Sequence, residues 1–300
     1  MGMRPVHLLW AIAITAVWGF NFVVIKAGLG SFPPLLLTAL RFAFAALPAL
    51  VLERPAVPWR HMILTGLALF VGQYVLLFVA MSHGMPPGLA SITLQIQACF
   101  TMLLAILVLG ERPQPRQIAG AAVALAGLAA IGSTVGGDVS TLGLGLTILS
   151  ALSWAAGNLL LKRMPKPADG RPVKMLNLIV WLSLVPIAPT LALSLGFEGP
   201  ERIAAALTHA GWLGFGALFY IVVFSTLLGF GVWGRLLSLY AASTVVPFSL
   251  LVPIFGAVSA ALVFHESFGP GRLAGMALIM SGLAISSLPI GRLRAKRQAA

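Results

Sequence analysis

Residues 7–28 read HLLWAIAITAVWGFNFVVIKAG, a run of 22 residues in which Lys26 is the one side chain charged at neutral pH. A helix of about 20 mostly apolar residues spans the hydrocarbon core of a bilayer, so this stretch predicts a transmembrane helix. The run is longer than the apolar core of a signal peptide, and no suitable small-residue cleavage site follows it. We therefore expect the helix to be part of the mature protein.

Nine further apolar runs follow, separated by short segments that carry proline and glycine. The ten predicted spans are residues 7–28, 35–52, 61–81, 86–109, 115–133, 142–162, 174–194, 210–231, 239–264 and 270–290. These runs predict an all-α polytopic membrane protein with ten transmembrane helices. A β-barrel is disfavoured, because its strands would alternate apolar and polar residues.

The composition excludes several classes of protein. Of the 300 residues, 59% are apolar and 9% charged, and the mean hydropathy is +1.01, whereas soluble domains carry about 25% charged residues. A soluble enzyme is therefore excluded. A nucleic-acid binder is also excluded, despite a net charge of +12, because no polar face clusters the basic residues. Cys99 is the single cysteine, which excludes a disulfide scaffold.

The distribution of basic residues predicts an orientation. With the N-terminus in the cytoplasm, fifteen of the nineteen Lys and Arg residues fall in cytoplasmic segments and three on the opposite side, while Arg41 lies within a span. Cytoplasmic loops of membrane proteins carry such an excess. We therefore expect a multi-pass inner-membrane protein with both termini in the cytoplasm, whose positive charge faces anionic lipids.

The two halves of the chain resemble each other, since residues 85–132 align with 240–287 at an offset of 155. The aligned pairs include Phe100 with Phe255, Glu111 with Glu266, Gly120 with Gly275, and Gly127 with Gly282. Five spans per half is an odd number, so the second half must enter the membrane from the opposite side. The pattern predicts two inverted five-helix repeats, residues 1–136 and 137–300, and such repeats are typical of transporters that work by alternating access.

Several motifs, taken in order, resemble the EamA family of the drug/metabolite transporter superfamily. They are WGFNFVVIK at 18–26, LRF at 40–42, GER at 110–112, SWAAGN at 153–158 and SLLVP at 249–253. The nearest resemblance is to exporters of cysteine and O-acetylserine, followed by exporters of aromatic amino acids. It implies a ten-helix fold with a central cavity lined by helices 1, 3, 4, 6, 8 and 9, and export of small neutral amino acids or related metabolites.

Polar residues inside spans usually face the protein interior or a cavity. The predicted substrate-binding residues are Trp18, Asn21, Tyr74, Gln95, Gln97, Trp154 and Asn158. Gln95 and Gln97 lie about 200° apart on a helix, so at most one of them contacts substrate, and Gln95 is preferred. The alternative is that the amides form structural clasps between helices, which are common in bundles.

Other residues in the spans have structural interpretations. Pro247 and Pro253 interrupt the hydrogen bonding of the ninth span and predict either a hinge or a static kink. We expect Lys26 and Lys162 to be interfacial anchors or partners of a helix end, and Arg41 to reach the outer headgroups as an anchor. The glycines at 120, 127, 275 and 282 recur every seven residues and predict close helix packing.

No carboxylate falls in the middle of a span, and no Walker, zinc-hydrolase or serine-hydrolase motif is present. We therefore expect no cofactor or metal and no obligatory proton coupling. The predicted partners are a small-molecule substrate and membrane lipids, and the protein is expected to be a monomer. The competing hypotheses are an aromatic amino-acid or drug exporter, a lipid-directed membrane enzyme, and a non-transporting scaffold.

Overall fold

The computed structural model describes residues 3–135, 139–165 and 173–287. Within these ranges eight helices are long and apolar enough to cross a membrane, and two further apolar helices are shorter. In chain order the ten are α1 (Pro5–Gly28), α2 (Pro34–Leu50), α3 (Trp59–Ser82), α4 (Pro87–Leu109), α5 (Pro115–Gly132), α6 (Thr141–Lys162), α7 (Met175–Phe197), α8 (Trp212–Leu239), α9 (Val246–Phe264) and α10 (Pro270–Ser286). The chain is therefore a polytopic helical membrane protein.

Each predicted span corresponds to one of these helices, but α2 and α10 are too short to be counted with the other eight. The boundary between the eighth and ninth spans was predicted wrongly. Helix α8 continues to Leu239 instead of ending at residue 231, because Trp233 and Leu236 face α1 and pack in a buried cluster with Ala11. The predicted boundary between the repeats, at residues 136 and 137, lies outside the described residues.

Helices α5 and α10 pack against each other through the four predicted glycines. A Cβ atom on Gly127 would lie 2.6 Å from the carbonyl oxygen of Gly275, and one on Gly275 would lie 2.7 Å from that of Gly127. Gly120 and Gly282 block each other in the same reciprocal way. The sequence prediction of close packing at these positions is confirmed.

The remaining central helices form two similar groups. Helix α1 packs against α8 and α9, and helix α6 packs against α3 and α4. Gly19 of α1 touches the backbone of α9, where a Cβ would lie 2.6 Å from the carbonyl oxygen of Val252. In the other group, Gly157 of α6 is covered by Leu69 of α3.

Irregular turns occur at corresponding places in the two halves. Helix α3 contains a π-helix at Leu67–Gly72, and α8 contains one at Tyr220–Leu228. A 3-10 segment interrupts α4 at Leu94–Ile96, and α9 begins with one at Val246–Leu250. Pro247 lies in the latter segment, and Pro253 follows in the first turn of the α-helical part of α9.

Candidate functional site

Two predicted site residues are hydrogen-bonded to each other between helices. Asn158 of α6 donates through Nδ2 to Oε1 of Gln97 in α4 at 3.1 Å. The Thr101 hydroxyl, one turn further along α4, lies 3.4 Å from the same oxygen and donates to the Gln97 carbonyl at 2.7 Å. The two amides therefore form an interhelical clasp in this conformation, and both side chains are half-buried.

The two tryptophans occupy different surroundings. Trp18 of α1 donates its indole N–H to the carbonyl oxygen of Ser225 in α8 at 2.9 Å, and its ring lies 5.2 Å from that of Trp233. Trp154 of α6 is half-buried and packs against two separate clusters of buried side chains. Trp18 is thus hydrogen-bonded to α8, whereas Trp154 packs between two clusters of buried side chains.

Asn21 of α1 is an acceptor that lacks a donor. Its side chain is 7% exposed, and Oδ1 has no hydrogen-bond partner, although buried polar atoms usually have one. Gln95 of α4 is half-buried in the 3-10 segment, two residues before the clasped Gln97. Asn21 and Gln95 are therefore the two predicted amide residues that take no part in the hydrogen bond between Gln97 and Asn158.

Arg41 is buried, and the prediction that it is an interfacial anchor was wrong. Its side chain is 1% exposed, because α2 presents it to α3 and α8 rather than to the surface. Nη2 donates to the Tyr74 hydroxyl and to the Thr226 hydroxyl, each at 3.1 Å. The guanidinium carbon lies 4.0 Å from the centre of the Tyr74 ring, a cation–π distance. Tyr74, a predicted site residue, is therefore brought together with a residue that the sequence analysis assigned to the surface.

Both hydroxyl partners of Arg41 are close to the π-helices. Thr226 belongs to the π-helix of α8, where its hydroxyl also donates to the carbonyl of Ile221 five residues earlier at 2.8 Å. Tyr74 follows the π-helix of α3 by two residues. A signal for this site was available in the sequence, because Arg41 is the one charged residue in the range 27–52.

At one end of the molecule, carboxylates hold the first turns of two helices. We call it the Glu266 end, because Glu266, which follows α9, accepts from the backbone N–H groups of Gly88 and Leu89 at 2.9 and 3.2 Å. At the same end, Glu198 accepts from the N–H groups of Leu35 and Leu36 at 2.7 and 3.0 Å. Carboxylates at helix N-termini satisfy free N–H groups and interact favourably with the helix dipole.

At the opposite end, which we call the Glu111 end, the matching carboxylate has another partner. Glu111 follows α4 as Glu266 follows α9. The residue before each has a positive φ, at 65° for Gly110 and 53° for His265. Yet Glu111 forms an ion pair with Lys162, and both side chains are about half exposed. Lys162 is thus an ion-pair partner, while Lys26 donates to the Met81 carbonyl near the end of α3 at 3.1 Å.

Helix contacts differ between the ends in the same sense. At the Glu266 end, α1 packs against the first part of α4, residues Pro87–Thr93. At the Glu111 end, among the described residues, α6 has at most a marginal contact with the first part of α9. Open grooves occur at both ends: one of about 430 Å³ between α4, α5, α9 and α10 is lined by Pro247 and Cys99, and one of about 500 Å³ at the Glu266 end is lined by Lys26 and Arg202. None of the seven predicted binding residues lines either groove.

The chain matches the EamA-like transporter family over residues 6–133 and again over 141–288. It belongs to the EamA-like transporter family. The family resemblance predicted from the sequence motifs is confirmed, and the protein is a transporter rather than an enzyme.

Named relatives cover nearly the whole chain. A "Probable amino-acid metabolite efflux pump" of Salmonella typhimurium is 42% identical over 92% of this chain and 93% of its own length, and the Escherichia coli protein of that name is 40% identical over the same shares. A "Probable terminal-alkyne amino-acid exporter" of Streptantibioticus cattleyicolor is 28% identical over 97% of each chain. One solved structure, described as "Crystal structure of protein", has a TM-score of 0.54 at 19% identity, over 95% of this chain and 99% of its own.

Proposed function

We propose that the protein exports small neutral amino acids or related metabolites, such as cysteine or O-acetylserine, across the inner membrane. The observation that carries this proposal is the similarity of 40–42% over 92% of the chain to two proteins named as amino-acid metabolite efflux pumps. Half-buried amides without a fixed negative charge suit a zwitterion, which brings both of its own charges. The aromatic amino-acid and drug exporters of the superfamily remain the alternatives to be tested.

The proposed architecture is ten membrane spans in two inverted repeats, residues 1–136 and 137–300, with both termini in the cytoplasm. Two family matches of similar length, one in each half, support it. The reciprocal packing of α1 on α8 and α9, and of α6 on α3 and α4, also supports it. Since α2 and α10 are short, the bilayer would thin slightly around them at modest cost.

The proposed mechanism is alternating access between the two ends of the molecule. It is supported by the difference between the repeat-related carboxylates, because Glu266 holds the start of α4 while Glu111 pairs with Lys162. We interpret this arrangement as closed at the Glu266 end and open at the Glu111 end. With the predicted orientation, the open end faces the cytoplasm, where an exporter loads its substrate.

The substrate would bind between the repeats and be released when the open end closes and the closed end opens. The proposed binding residues remain Trp18, Asn21, Tyr74, Gln95, Gln97, Trp154 and Asn158, with Pro247 and Pro253 as hinges in α9. Because no carboxylate lies in the middle of a described helix, transport down a cytoplasmic excess of substrate would need no proton. The working unit is proposed to be a monomer in contact with lipid, without cofactor or metal.

Purified protein in liposomes tests the proposed function. Vesicles loaded separately with labelled cysteine, O-acetylserine, serine, phenylalanine and tryptophan should lose the three small substrates at least several-fold faster than vesicles without protein. Efflux confined to the aromatic amino acids would favour the alternative exporter class. Movement of no amino acid would overturn the proposal.

Reporter fusions test the orientation separately. Fusions after Arg163 and at the C-terminus should report a cytoplasmic position, and one near residue 138 should report a periplasmic one. A periplasmic signal after Arg163 would overturn both the orientation and the inverted repeat, while leaving the family assignment intact.

A further inference from the structure

We propose that Arg41 binds the carboxylate of the transported amino acid. The proposal rests on the proposed function, because it names the part of that substrate which the site recognises. It also adds to the seven binding residues one that the sequence analysis had placed at the membrane surface.

The first observation is that the guanidinium is incompletely satisfied. Arginine has five N–H donors and no acceptor, but the hydroxyls of Tyr74 and Thr226 both bond to Nη2. Nε and Nη1 are buried without a hydrogen-bond partner. A bidentate carboxylate is the ligand that matches the planar guanidinium best.

The second observation is that the charge lacks a counter-ion. Arg41 has no hydrogen bond or ion pair to Asp or Glu in the described part of the chain. Its partners are a phenol, an alcohol and the aromatic rings of Tyr74 and Phe42. Leaving a cation unpaired in the membrane interior is costly, and such residues usually mark a substrate or ion pathway. A carboxylate delivered by the substrate would supply the missing negative charge.

The third observation is the depth of the site. Arg41 lies seven residues from Pro34, the first residue of α2, and Asn21 lies seven residues from Gly28, the last residue of α1. At 1.5 Å per residue both are about 10 Å from the Glu266 end. The unpartnered donors of Arg41 and the unpartnered acceptor of Asn21 therefore lie at the same level. An amino acid presents the complementary groups, a carboxylate and an ammonium.

The fourth observation concerns access. The free nitrogen atoms of Arg41 are closed off in this conformation, but its two hydroxyl partners are tied to the π-helices of α3 and α8. Single π turns within α-helices are rare and often occur at functional sites. Movement of either helix past its π turn would separate Tyr74 or Thr226 from the guanidinium and make its N–H donors accessible to a substrate.

Arg41 has no charged equivalent in the second half. Helix α7, which follows α6 as α2 follows α1, carries no charged residue between Met175 and Phe197. A single site for a single carboxylate is what an asymmetric substrate requires.

The experiment measures recognition of the carboxylate by full-length protein in liposomes. The assay follows the uptake of labelled cysteine in exchange for internal cysteine. Three unlabelled competitors are compared: cysteine, cysteine methyl ester, in which the carboxylate is masked, and cysteamine, which lacks a carboxylate. Loss of a charge-assisted hydrogen bond corresponds to about ten- to hundredfold in affinity. For the wild-type protein, we therefore expect both analogues to inhibit at least tenfold less well than cysteine.

Variants assign that discrimination to Arg41. Arg41→Gln should lower cysteine exchange at least tenfold and reduce the preference over the methyl ester to within about twofold. Arg41→Lys, which keeps the charge and loses the planar fork, should be intermediate. Arg60→Gln is the matched control, because Arg60 is an exposed arginine at the start of α3, and it should behave as the wild type.

The outcomes separate the proposals. Wild-type protein that exchanges cysteine but does not distinguish it from cysteamine overturns the carboxylate site alone, as does an Arg41→Gln variant that keeps full preference. Wild-type protein that moves none of the amino acids overturns the proposed function together with this site. If Arg41→Gln fails to fold, the analogue series on the wild type and on Arg41→Lys still decides the question.

Discussion

At the Glu266 end, two carboxylates accept from the free N–H groups of α2 and α4, and α1 closes on the start of α4. At the Glu111 end the matching Glu111 pairs with an exposed lysine instead, and among the described residues α6 has at most a marginal contact with the start of α9. The local chain geometry is similar at both places, since Gly110 and His265 each cap a helix with a positive φ. The difference therefore lies in how the helices meet, as expected for the proposed state that is closed at the Glu266 end and open at the Glu111 end.

The α5–α10 contact is alike in both halves, because each helix contributes two glycines to it. We expect the largest effect from substitutions at these glycines. Gly120→Leu and Gly282→Leu should each abolish accumulation of folded protein, because either side chain would overlap the opposing backbone of the α5–α10 contact. Detergent size-exclusion chromatography measures this. Gly145→Leu in α6, where a Cβ meets open space, is the control and should stay monodisperse. Folded protein from both variants would contradict the packing.

Removing the Glu266 carboxylate should open the closed end. Glu266→Gln weakens the bonds to Gly88 and Leu89, and loss of a charged acceptor shifts an equilibrium by about tenfold or more. Ser91 is buried beneath this contact. In a Cys99→Ser background, labelling of a Ser91→Cys variant by an impermeant thiol reagent should therefore rise about tenfold when Glu266→Gln is added.

Two further variants sharpen that result. Glu201→Gln, at an exposed glutamate of the connecting helix Pro200–His209, should leave the labelling unchanged. Glu111→Gln should not raise it, because Glu111 takes no part in closing the Glu266 end. Equal labelling in Glu266→Gln and Glu111→Gln would remove the proposed functional difference between the ends.

The amides near the middle of the helices distinguish the two halves chemically. Gln95→Leu and Asn158→Leu should each slow transport several-fold with little loss of folded protein, because a hydrogen bond contributes about 0.5–1.5 kcal/mol. Leu250→Gln, at the position aligned with Gln95, should not rescue Gln95→Leu if the proposed site is asymmetric. Normal transport by both single variants would make the amides purely structural.

A double substitution separates clasp from ligand contact. Gln97→Leu combined with Asn158→Leu should be no worse than the more damaged single variant, because the two side chains share one bond. The readouts are the initial rate of exchange and the melting temperature. Additive losses in rate without a change in melting temperature would indicate that both amides contact the substrate rather than each other.

The smallest effect is expected from the proton gradient. Collapsing a pH gradient across the liposomes should slow efflux less than about twofold. The reason is that the described acidic side chains all lie at or beyond helix ends, and mid-membrane carboxylates are the usual proton relays. The control is the same ionophore on vesicles without protein. Strict dependence of efflux on the pH gradient would show that transport is driven by protons rather than passive.

Much of the fold was predictable because its signals are local. Each apolar run predicted one helix, and the glycines at positions 120, 127, 275 and 282 predicted close helix packing, which the structure places between α5 and α10. The predicted end of α8 at residue 231 was wrong. The helix instead continues because Trp233 and Leu236 are buried against α1.

The candidate site was predicted less completely. The sequence selected Gln97, Asn158 and Tyr74 as polar residues within spans, and the structure joins the first two to each other and the third to Arg41. Arg41 itself was misassigned, because a long side chain in a short helix can reach the headgroups or turn inward. Spacing along one helix does not distinguish these two directions.

The sequence by itself determined the membrane class, because the cost of moving a segment into lipid is summed along the chain, and its motifs determined the family. Only the tertiary structure decided that Arg41 is buried between α2, α3 and α8, and that Glu266 rather than Glu111 holds a helix start. Those facts depend on which faces of separate helices meet. The backbone has a positive φ before each glutamate, at Gly110 and at His265, so this local feature does not distinguish Glu111 from Glu266, and the difference arises from the helices packed around them.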